Sequence, residues 1–376
     1  MKLFHLSDLH LGKRLYEFSL LEDQRYILQQ ILNLVDQEHP DGVMLAGDLY
    51  DKSVPSAEAV QLFDWFLNAL AKRDTAVFAI SGNHDSAERV AFGAGLMGER
   101  GVHFSPIYDG DVKKVSLQDE YGTVHIWLMP FVKPITVRQA LENQKIDNYQ
   151  SAVEAVIEHM NIDAKERNVL LAHQFVTGAV PCDSEEINVG GLDQISAETF
   201  DAFDYVALGH IHSPQKVGRE TVRYCGTPLK YSFSEAEQKK SVTVVDLDEK
   251  GWVELHQLPL EPLRDLRKIR GTYEEVMDKT FYDSFNRMDY MHVTLTDETD
   301  IPDGLTKLRT IYPNIMQLEY DNRRTRMEQE LAGAKDREQK SVLELFEEFF
   351  EKQNNQAMGE EQKTFVNELI ERLLDR

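Results

Sequence analysis

The sequence predicts an α/β fold: a four-layer α/β/β/α sandwich, continued by a small α+β capping unit and C-terminal helices. Three observations lead there. Short apolar runs alternate with helix-patterned stretches through residues 1–258. Polar residues suited to chemistry sit just beyond the ends of those runs. Pro259 and Pro262, followed by a change of composition, then mark off two further segments.

Taken in order, Lys2 to Ser7, Gly42 to Ala46, Ala76 to Ser81, Val124 to Met129, Val169 to Ala172 and Tyr205 to Leu208 read as buried strands, because their apolar residues are nearly continuous. Between the first two, Ile27, Leu28, Ile31, Leu34 and Val35 repeat at helical spacing and predict a helix over Leu21 to His39; Ala57 to Ala71 repeats the pattern before the third strand. In such α/β units ligands bind beyond the carboxyl ends of strands. Ser241 to Asp246 and Trp252 to Leu258 are further strands, which we assign to a second sheet. From 263 to 321 the pattern is strand, helix, strand, helix, strand: Arg264 to Arg270, Tyr273 to Lys279, Met291 to Leu295, Leu305 to Tyr312 and Ile315 to Leu318. The basic residues Arg264, Arg267, Lys268 and Arg270 there fit either a solvated strand or a phosphate contact. In residues 326–376, Val342, Leu345, Phe346, Phe349 and Phe350 mark one helical face, and Phe365, Val366, Leu369, Ile370, Leu373 and Leu374 another. Two helices this short form no core alone. They must bury those faces on their own body or on a partner; the polar spacer Asn354-Asn355-Gln356 and the charged stretch before it look like a tether and favour a partner, with Phe346, Phe349, Phe350, Phe365, Leu369 and Leu373 as the candidate contacts.

Composition narrows the function. The 376 residues are 42% hydrophobic and 28% charged, as in a soluble globular protein. No run approaches the roughly 18 apolar residues of a membrane helix. A secretory leader of about 15–30 residues would consume Asp8 and His10, so the expected location is the cytoplasm, where two cysteines form no disulfide framework. The net charge of -24 excludes binding a polyanion through the overall field. Any DNA contact must be local.

The candidate site has seven residues in five islands: Asp8 and His10, Asp48, Asn83, His173, and His210 with His212. Together they suit two divalent cations about 3.5–4 Å apart, which activate water and clamp phosphoryl oxygens. Asp48 is the natural bridge. Asp8, His10, Asp48 and one histidine of the His210/His212 pair surround the first ion; Asp48, Asn83, His173 and the other histidine surround the second. Two divalent ions against Asp8 and Asp48 leave a positive site, matched to a singly charged phosphodiester. Imidazole with carboxylate favours Mn²⁺, Fe²⁺ or Zn²⁺ over Mg²⁺ or Ca²⁺. His84 is placed to protonate the leaving oxygen, with Asp85 to orient it. Gly47, Gly82 and Gly209 let tight backbone turn the ligands inward. His5, His39, His103, His125, His159, His256 and His292 read as structural.

Leu6-Ser7-Asp8-Leu9-His10-Leu11-Gly12, Gly47-Asp48-Leu49-Tyr50-Asp51, Gly82-Asn83-His84-Asp85-Ser86 with Arg89, Ala172-His173-Gln174-Phe175, Leu208-Gly209-His210-Ile211-His212 and Tyr224-Cys225-Gly226-Thr227-Pro228-Leu229-Lys230-Tyr231-Ser232 resemble the calcineurin-like metallophosphoesterase superfamily and, within it, the SbcD nuclease subunits. The last stretch is the most discriminating. The resemblance implies an Mn²⁺-dependent DNA double-strand exonuclease, with endonuclease action at hairpins or blocked ends, in DNA repair, recombination and replication. It places His212 at the first ion and His210 at the second. It also implies a homodimer, through Ala57 to Ala71 and the segment after Arg89, within a heterotetramer with the SbcC coiled-coil ATPase. That complex is cytoplasmic and nucleoid-associated on DNA. No Gly-x-x-x-x-Gly-Lys-Ser/Thr loop occurs here, so ATP dependence must come from another chain. The C-terminal helices are then the dock on that partner. Arg89 joins Arg264, Arg267, Lys268 and Arg270 as DNA-binding candidates. A small-molecule or cyclic-nucleotide phosphodiesterase would share the site but needs neither cap nor tail. A protein phosphatase resembles a pattern with Glu where this chain has Asp85. A non-catalytic scaffold would lose ligands or His84, and none is missing.

Overall fold

Gly42–Ala46 and Arg167–His173 are buried along their whole length, which is why such strands carry unbroken apolar runs instead of alternating ones. Each lies inside a six-stranded sheet of a computed structural model that describes residues 1–185, 194–323 and scattered positions from 325 to 370. The first sheet runs in the order Val253–Pro259, Ser241–Leu247, Lys2–Leu6, Gly42–Ala46, Ala76–Ile80, Val102–Phe104. Its last four strands are parallel, and the first two join antiparallel. The second sheet runs Gln215–Val217, Arg219–Tyr224, Tyr205–Gly209, Arg167–His173, Gly122–Leu128, Lys113–Asp119, parallel in the middle and antiparallel at both edges.

The sheets pack face to face. Leu3, Met44, Phe78 and Ile80 meet Ile126, Leu128, Val169, Leu171 and Ala207 in one buried cluster. The outer face of the first sheet is covered by helices Leu21–Glu38 and Ala57–Ala71, that of the second by Pro134–Ala140 and Tyr149–His159. This is the α/β/β/α sandwich. The first helix buries Ile27, Leu28, Ile31, Leu32 and Val35, and ends where His39 turns left-handed before Pro40. The second starts at Ser56, whose hydroxyl accepts the Ala59 amide at 3.3 Å.

One expectation is corrected. Ser241–Leu247 and Val253–Pro259 do not found the second sheet; they extend the first, beside Lys2–Leu6. Apolar content marks a strand as buried but does not say which neighbour it pairs with. The second sheet instead takes its edges from strands that read weakly. Lys113–Asp119 alternates half-buried and exposed positions and carries Lys113, Lys114 and Asp119.

Beyond Leu260, Leu266–Gly271, Tyr290–Leu295 and Ile315–Tyr320 form a parallel three-stranded sheet with its own core of Ile269, Val276, Met291, Val293, Leu308 and Tyr312. It leans on the first helix, where the Tyr290 hydroxyl donates to Asp23 at 2.8 Å. Of the tail residues singled out above, Val342, Leu345, Phe349, Leu373 and Leu374 lie outside the described residues. Phe365 is 65% exposed, Leu369 44% and Phe346 40%, while Phe350 is half-buried. Among the described residues no helix is long and apolar enough to cross a membrane. Cys182 and Cys225 are free thiols.

The two sheets are also joined by charge. The Arg167 side chain is 3% exposed; it pairs with Asp119 and donates to the carbonyls of Gly122 and Asp248, the latter at 2.7 Å. The amino terminus reaches the same carboxylate at 3.1 Å. Removing one partner of such a buried pair strands the other, so Arg167→Met is expected to cost about 3–5 kcal/mol in urea unfolding. A loss no larger than the roughly 0–1 kcal/mol of a surface pair would remove this contact from the account.

Candidate metal centre

All seven predicted donors come together at one end of the sandwich, beyond the carboxyl ends of parallel strands from both sheets. Asp8 follows Lys2–Leu6, Asp48 follows Gly42–Ala46 and Asn83 follows Ala76–Ile80. His173 ends Arg167–His173, and His210 and His212 follow Tyr205–Gly209. Four of these residues hold backbone angles that L side chains rarely adopt: φ is 53° at Asp8, 43° at His10, 50° at Asp48 and 101° at His210. The turns are stitched together, with the Asp8 amide on the Gly47 carbonyl at 3.0 Å and the His10 amide on the Asp48 carbonyl at 2.9 Å. The His84 and His210 amides donate in turn to the carboxylates of Asp48 (2.9 Å) and Asp8 (3.0 Å).

The glycines act in two ways. Gly47 has φ +90°, so it serves the turn. Gly82 and Gly209 do not; they are needed for close approach. A Cβ on Gly82 would lie 2.1 Å from Asp48 Oδ1, and one on Gly209 1.9 Å from the Ala46 carbonyl oxygen.

The donors fall into two groups. Atoms of Asp8, His10 and His212 lie within 4.8 Å of one another, as do those of Asp8, Asp48 and His173. Asp48 Oδ2 spans both groups, 3.7 Å from His10 Nε2 and 3.4 Å from His173 Nε2. Asn83 Oδ1 closes the second group, at 3.0 Å from His173 Nε2 and 3.1 Å from His210 Nδ1. His210 therefore sits with Asn83 and His173, and His212 with His10.

Lone pairs crowd this space. His173 Nδ1 donates to the Ala46 carbonyl at 2.8 Å, because that oxygen can only accept, and this turns Nε2 toward Asp48 and Asn83. Burial disfavours charge on His173, yet Asp48 lifts its pKa to about 9. Asp48 itself is pushed up by burial but held well below the ordinary carboxylate range by His173 and its neighbours. Burial drives His10 far down; burial and then His173 bring His210 to about 3, leaving both imidazoles neutral. Two neutral imidazoles and an ionised carboxylate that, without a metal, draws a proton onto His173 are a donor set in want of positive charge, which fits divalent cations.

His84 lies at the mouth. Its Nδ1 donates to the Asp51 carbonyl at 3.2 Å, its Nε2 is 4.0 Å from Asp48 Oδ2, and its side chain is 20% exposed. Asp85 does not orient it. Both Asp85 oxygens are taken by backbone amides, from Leu49 (3.0 Å), Tyr50 (3.0 Å) and Gly82 (2.9 Å), so this carboxylate pins the Asp48 turn to the Asn83 turn. Burial, then Asp48, raises its pKa to about 6. His84 opens onto a cleft of about 960 Å³ that Lys13, Lys52, Phe131 and Lys133 also line.

The remaining candidates stand apart. Arg89 is exposed on the short helix Ala87–Val90 and does not line the cleft. Arg264 pairs with Glu22 and Asp23, Arg267 with Asp289 and Arg270 with Asp321; Lys268 is exposed. Carboxylates neutralise three of these four cations. The histidines read as structural are outside both donor groups, as with His5 on the Tyr205 hydroxyl at 2.8 Å and His103 stacked on Phe78. Sequence reading overlooked Ser184, Glu185, Glu235 and Lys240, which surround His212. Only the position of Glu235 just after the discriminating Tyr224–Ser232 stretch hinted at them.

Fold and donor set are those of a metallophosphoesterase. The profile of the calcineurin-like phosphoesterases matches residues 1–214, more than half of the chain, and the chain belongs to that family. A second profile, the Type 5 capsule protein repressor C-terminal domain, matches residues 262–354. Over 383 aligned positions, covering 100% of both proteins, the chain is 32% identical to the D subunit of the nuclease SbcCD from Staphylococcus epidermidis. It is thus a member of the SbcD nuclease-subunit family and a metal-dependent phosphoester hydrolase. Among solved structures, the protein TT1561 of Thermus thermophilus aligns with 68% of this chain and 98% of its own at 13% identity and a TM-score of 0.37. A dimetal phosphatase from Danio rerio aligns with 70% and 98% at 10% identity and a TM-score of 0.40. Superpositions that loose carry no argument.

Gly82→Ala forces a Cβ onto Asp48, including its backbone nitrogen at 2.5 Å, which cannot swing away. It is expected to lower divalent-metal affinity by about tenfold or more, as disturbing a ligand's support does. Gly95→Ala, where an added Cβ meets nothing within 4 Å, is the control. Metal titration reads both, and equal affinities would contradict the close-packing argument.

Proposed function

We propose that this chain is the nuclease subunit of an SbcC–SbcD-type complex that hydrolyses DNA phosphodiesters with two Mn²⁺ ions. It acts as a double-strand exonuclease and as an endonuclease at hairpins and blocked ends, in repair and recombination. The observation that carries the reading is the convergence of seven donors from five strand ends on one dry pocket beside a lysine-lined cleft. Asp8, His10, Asp48 and His212 would hold one cation, and Asp48, Asn83, His173 and His210 the other. When bound, the pair supplies an activated water and neutralises charge on the phosphoryl oxygens. Mixed imidazole and carboxylate donors favour Mn²⁺ over Mg²⁺.

The chain's own residues do the rest. His84, fixed through Nδ1 by the Asp51 carbonyl, presents Nε2 at the cleft mouth to pass a proton to the leaving oxygen. Lys52 and Lys133 give the local positive charge that an overall charge of -24 does not, while Lys13 beside them is paired with Asp51 at 2.8 Å. The exposed side chains of Phe92 (83%) and Leu96 (79%), in the segment after Arg89, and of Val60 (44%) support a homodimer through this face. The tail from 326 would dock an SbcC-type ATPase, giving a heterotetramer that works in the cytoplasm and on the nucleoid.

Linear duplex DNA is expected to be degraded with Mn²⁺, and His84→Gln to lower the rate by about 10²–10⁴-fold, the usual worth of a general acid. Cleavage of only a chromogenic small diester, even with the ATPase partner added, would replace this reading with a small-molecule phosphodiesterase. Co-purification with a large coiled-coil ATPase is expected for the full chain and lost on deleting residues 326–376. Retention of the partner by the truncated chain would move the dock elsewhere.

A further inference from the structure

Lys240 and Glu235 form an ion pair at 2.6 Å whose side chains are 4% and 0% exposed. Burying both charges is costly unless every donor and acceptor is used. Here they are. The three ammonium protons of Lys240 go to Glu235 Oε2, to the His212 carbonyl at 2.9 Å and to Gln238 Oε1 at 2.8 Å. Glu235 Oε1 accepts the Ser184 hydroxyl at 2.7 Å and the Tyr231 amide at 3.2 Å. A hydroxyl has a single proton. Once Ser184 gives it to a carboxylate, its oxygen faces His212 Nδ1, 2.7 Å away, as an acceptor. The ring proton of His212 must then be on Nδ1. Its Nε2 keeps a lone pair, 3.2 Å from His10 Nε2.

We propose that Ser184, Glu235 and Lys240 form a positioning relay that fixes the tautomer of His212 and thereby sets cation affinity at the position His212 shares with His10. The proposal rests on the reading of His212 as a ligand. It gives work to the segment after Arg219–Tyr224, which the sequence marks as distinctive. The relay also reaches the other ligands of that position. The Tyr231 hydroxyl donates to the Leu9 carbonyl at 2.5 Å, and Gln24 Nε2 donates to the His10 carbonyl at 2.8 Å and the Tyr231 oxygen at 3.2 Å. Glu185 fixes the backbone of the same histidine by accepting its amide at 2.6 Å. Polar groups behind a ligating imidazole orient the ring and strengthen it as a donor.

The test is titration of the full chain with Mn²⁺, followed by calorimetry and by the Mn²⁺ paramagnetic resonance signal, with Ser184→Ala and Ser184→Thr beside the wild type. Ser184→Ala is expected to weaken one of two bound ions by about 10- to 100-fold and leave the other unchanged. Ser184→Thr, which keeps the hydroxyl, restores it. The lost hydrogen bond lowers the urea midpoint of the metal-free Ser184→Ala chain, and Ser184→Thr recovers it. Unchanged affinities in Ser184→Ala would overturn the proposal. So would equal weakening of both ions, since that is the mark of a structural contact alone. Two ions bound alike by wild type and Ser184→Ala sink the relay and keep the two-cation reading. A single ion whose affinity still falls in Ser184→Ala does the reverse.

Discussion

Nitrogen and oxygen donors crowded into a buried pocket call for positive charge between them, and the centre of this molecule is built from such an encounter. His10 Nε2 lies 3.2 Å from His212 Nε2, and His173 Nε2 and His210 Nδ1 both close on Asn83 Oδ1. The arrangement survives because the backbone around it is over-determined. Asp8, His10, Asp48 and His210 sit at positive φ, each a local strain of order 1–3 kcal/mol. They are held there by backbone hydrogen bonds between the turns and by the three amides that donate to Asp85. Strain at the site and packing beneath it are two sides of one design. The sandwich core is rigid enough to keep donors where, without a cation, they would move apart.

Much of this was readable from sequence because the relevant signals are local. A strand buried on both faces must be apolar throughout, and a residue that leaves such a strand into a tight turn must be polar or glycine. The five islands are those junctions, and all seven donors gather as the spacing implied. What stayed hidden was pairing. Ser241–Leu247 could have opened a new sheet or extended the old one, and its residue types suit both. It joins Lys2–Leu6 because that strand's other edge is already taken by Gly42–Ala46. Lys113–Asp119 was missed for the opposite reason: its outward positions are wet, and its polar residues dilute the strand pattern.

Side-chain partnerships were the second blind spot. Asp85 next to His84 invites an acid–orienter pair, but neighbours in a tight turn point apart, and its oxygens serve backbone amides instead. Arg264, Arg267 and Arg270 read as a basic patch because a sequence shows no charge across space. Folding brings Glu22, Asp23, Asp289 and Asp321 against them. In a chain with 65 acidic and 41 basic residues, most arginines will find a carboxylate. The cations that matter for an anionic ligand are those left beside the donors. Lys52 and Lys133 in the cleft meet that condition better than the cap residues do.

The division of the donors between sheets gives the site a mechanical consequence. Asp8, His10, Asp48 and Asn83 hang from the first sheet, and His173, His210 and His212 from the second. Any cation shared between these groups ties the two halves of the sandwich at their carboxyl ends, as the Arg167 bond to the Asp248 carbonyl and the pair between the amino terminus and Asp119 tie them at another point. A ligand that binds only the folded chain stabilises it by RT ln(1 + [L]/Kd), about 2.7 kcal/mol at a hundredfold excess over Kd. That is a sizeable fraction of the roughly 5–15 kcal/mol that keeps a domain folded. The same geometry makes the site sensitive to how the sheets sit together. A shift of the second sheet would strain both contacts that His173 makes across the sandwich, its Nδ1 on the Ala46 carbonyl at 2.8 Å and its Nε2 at 3.4 Å from Asp48. Catalytic geometry and sheet packing are therefore one variable in this protein.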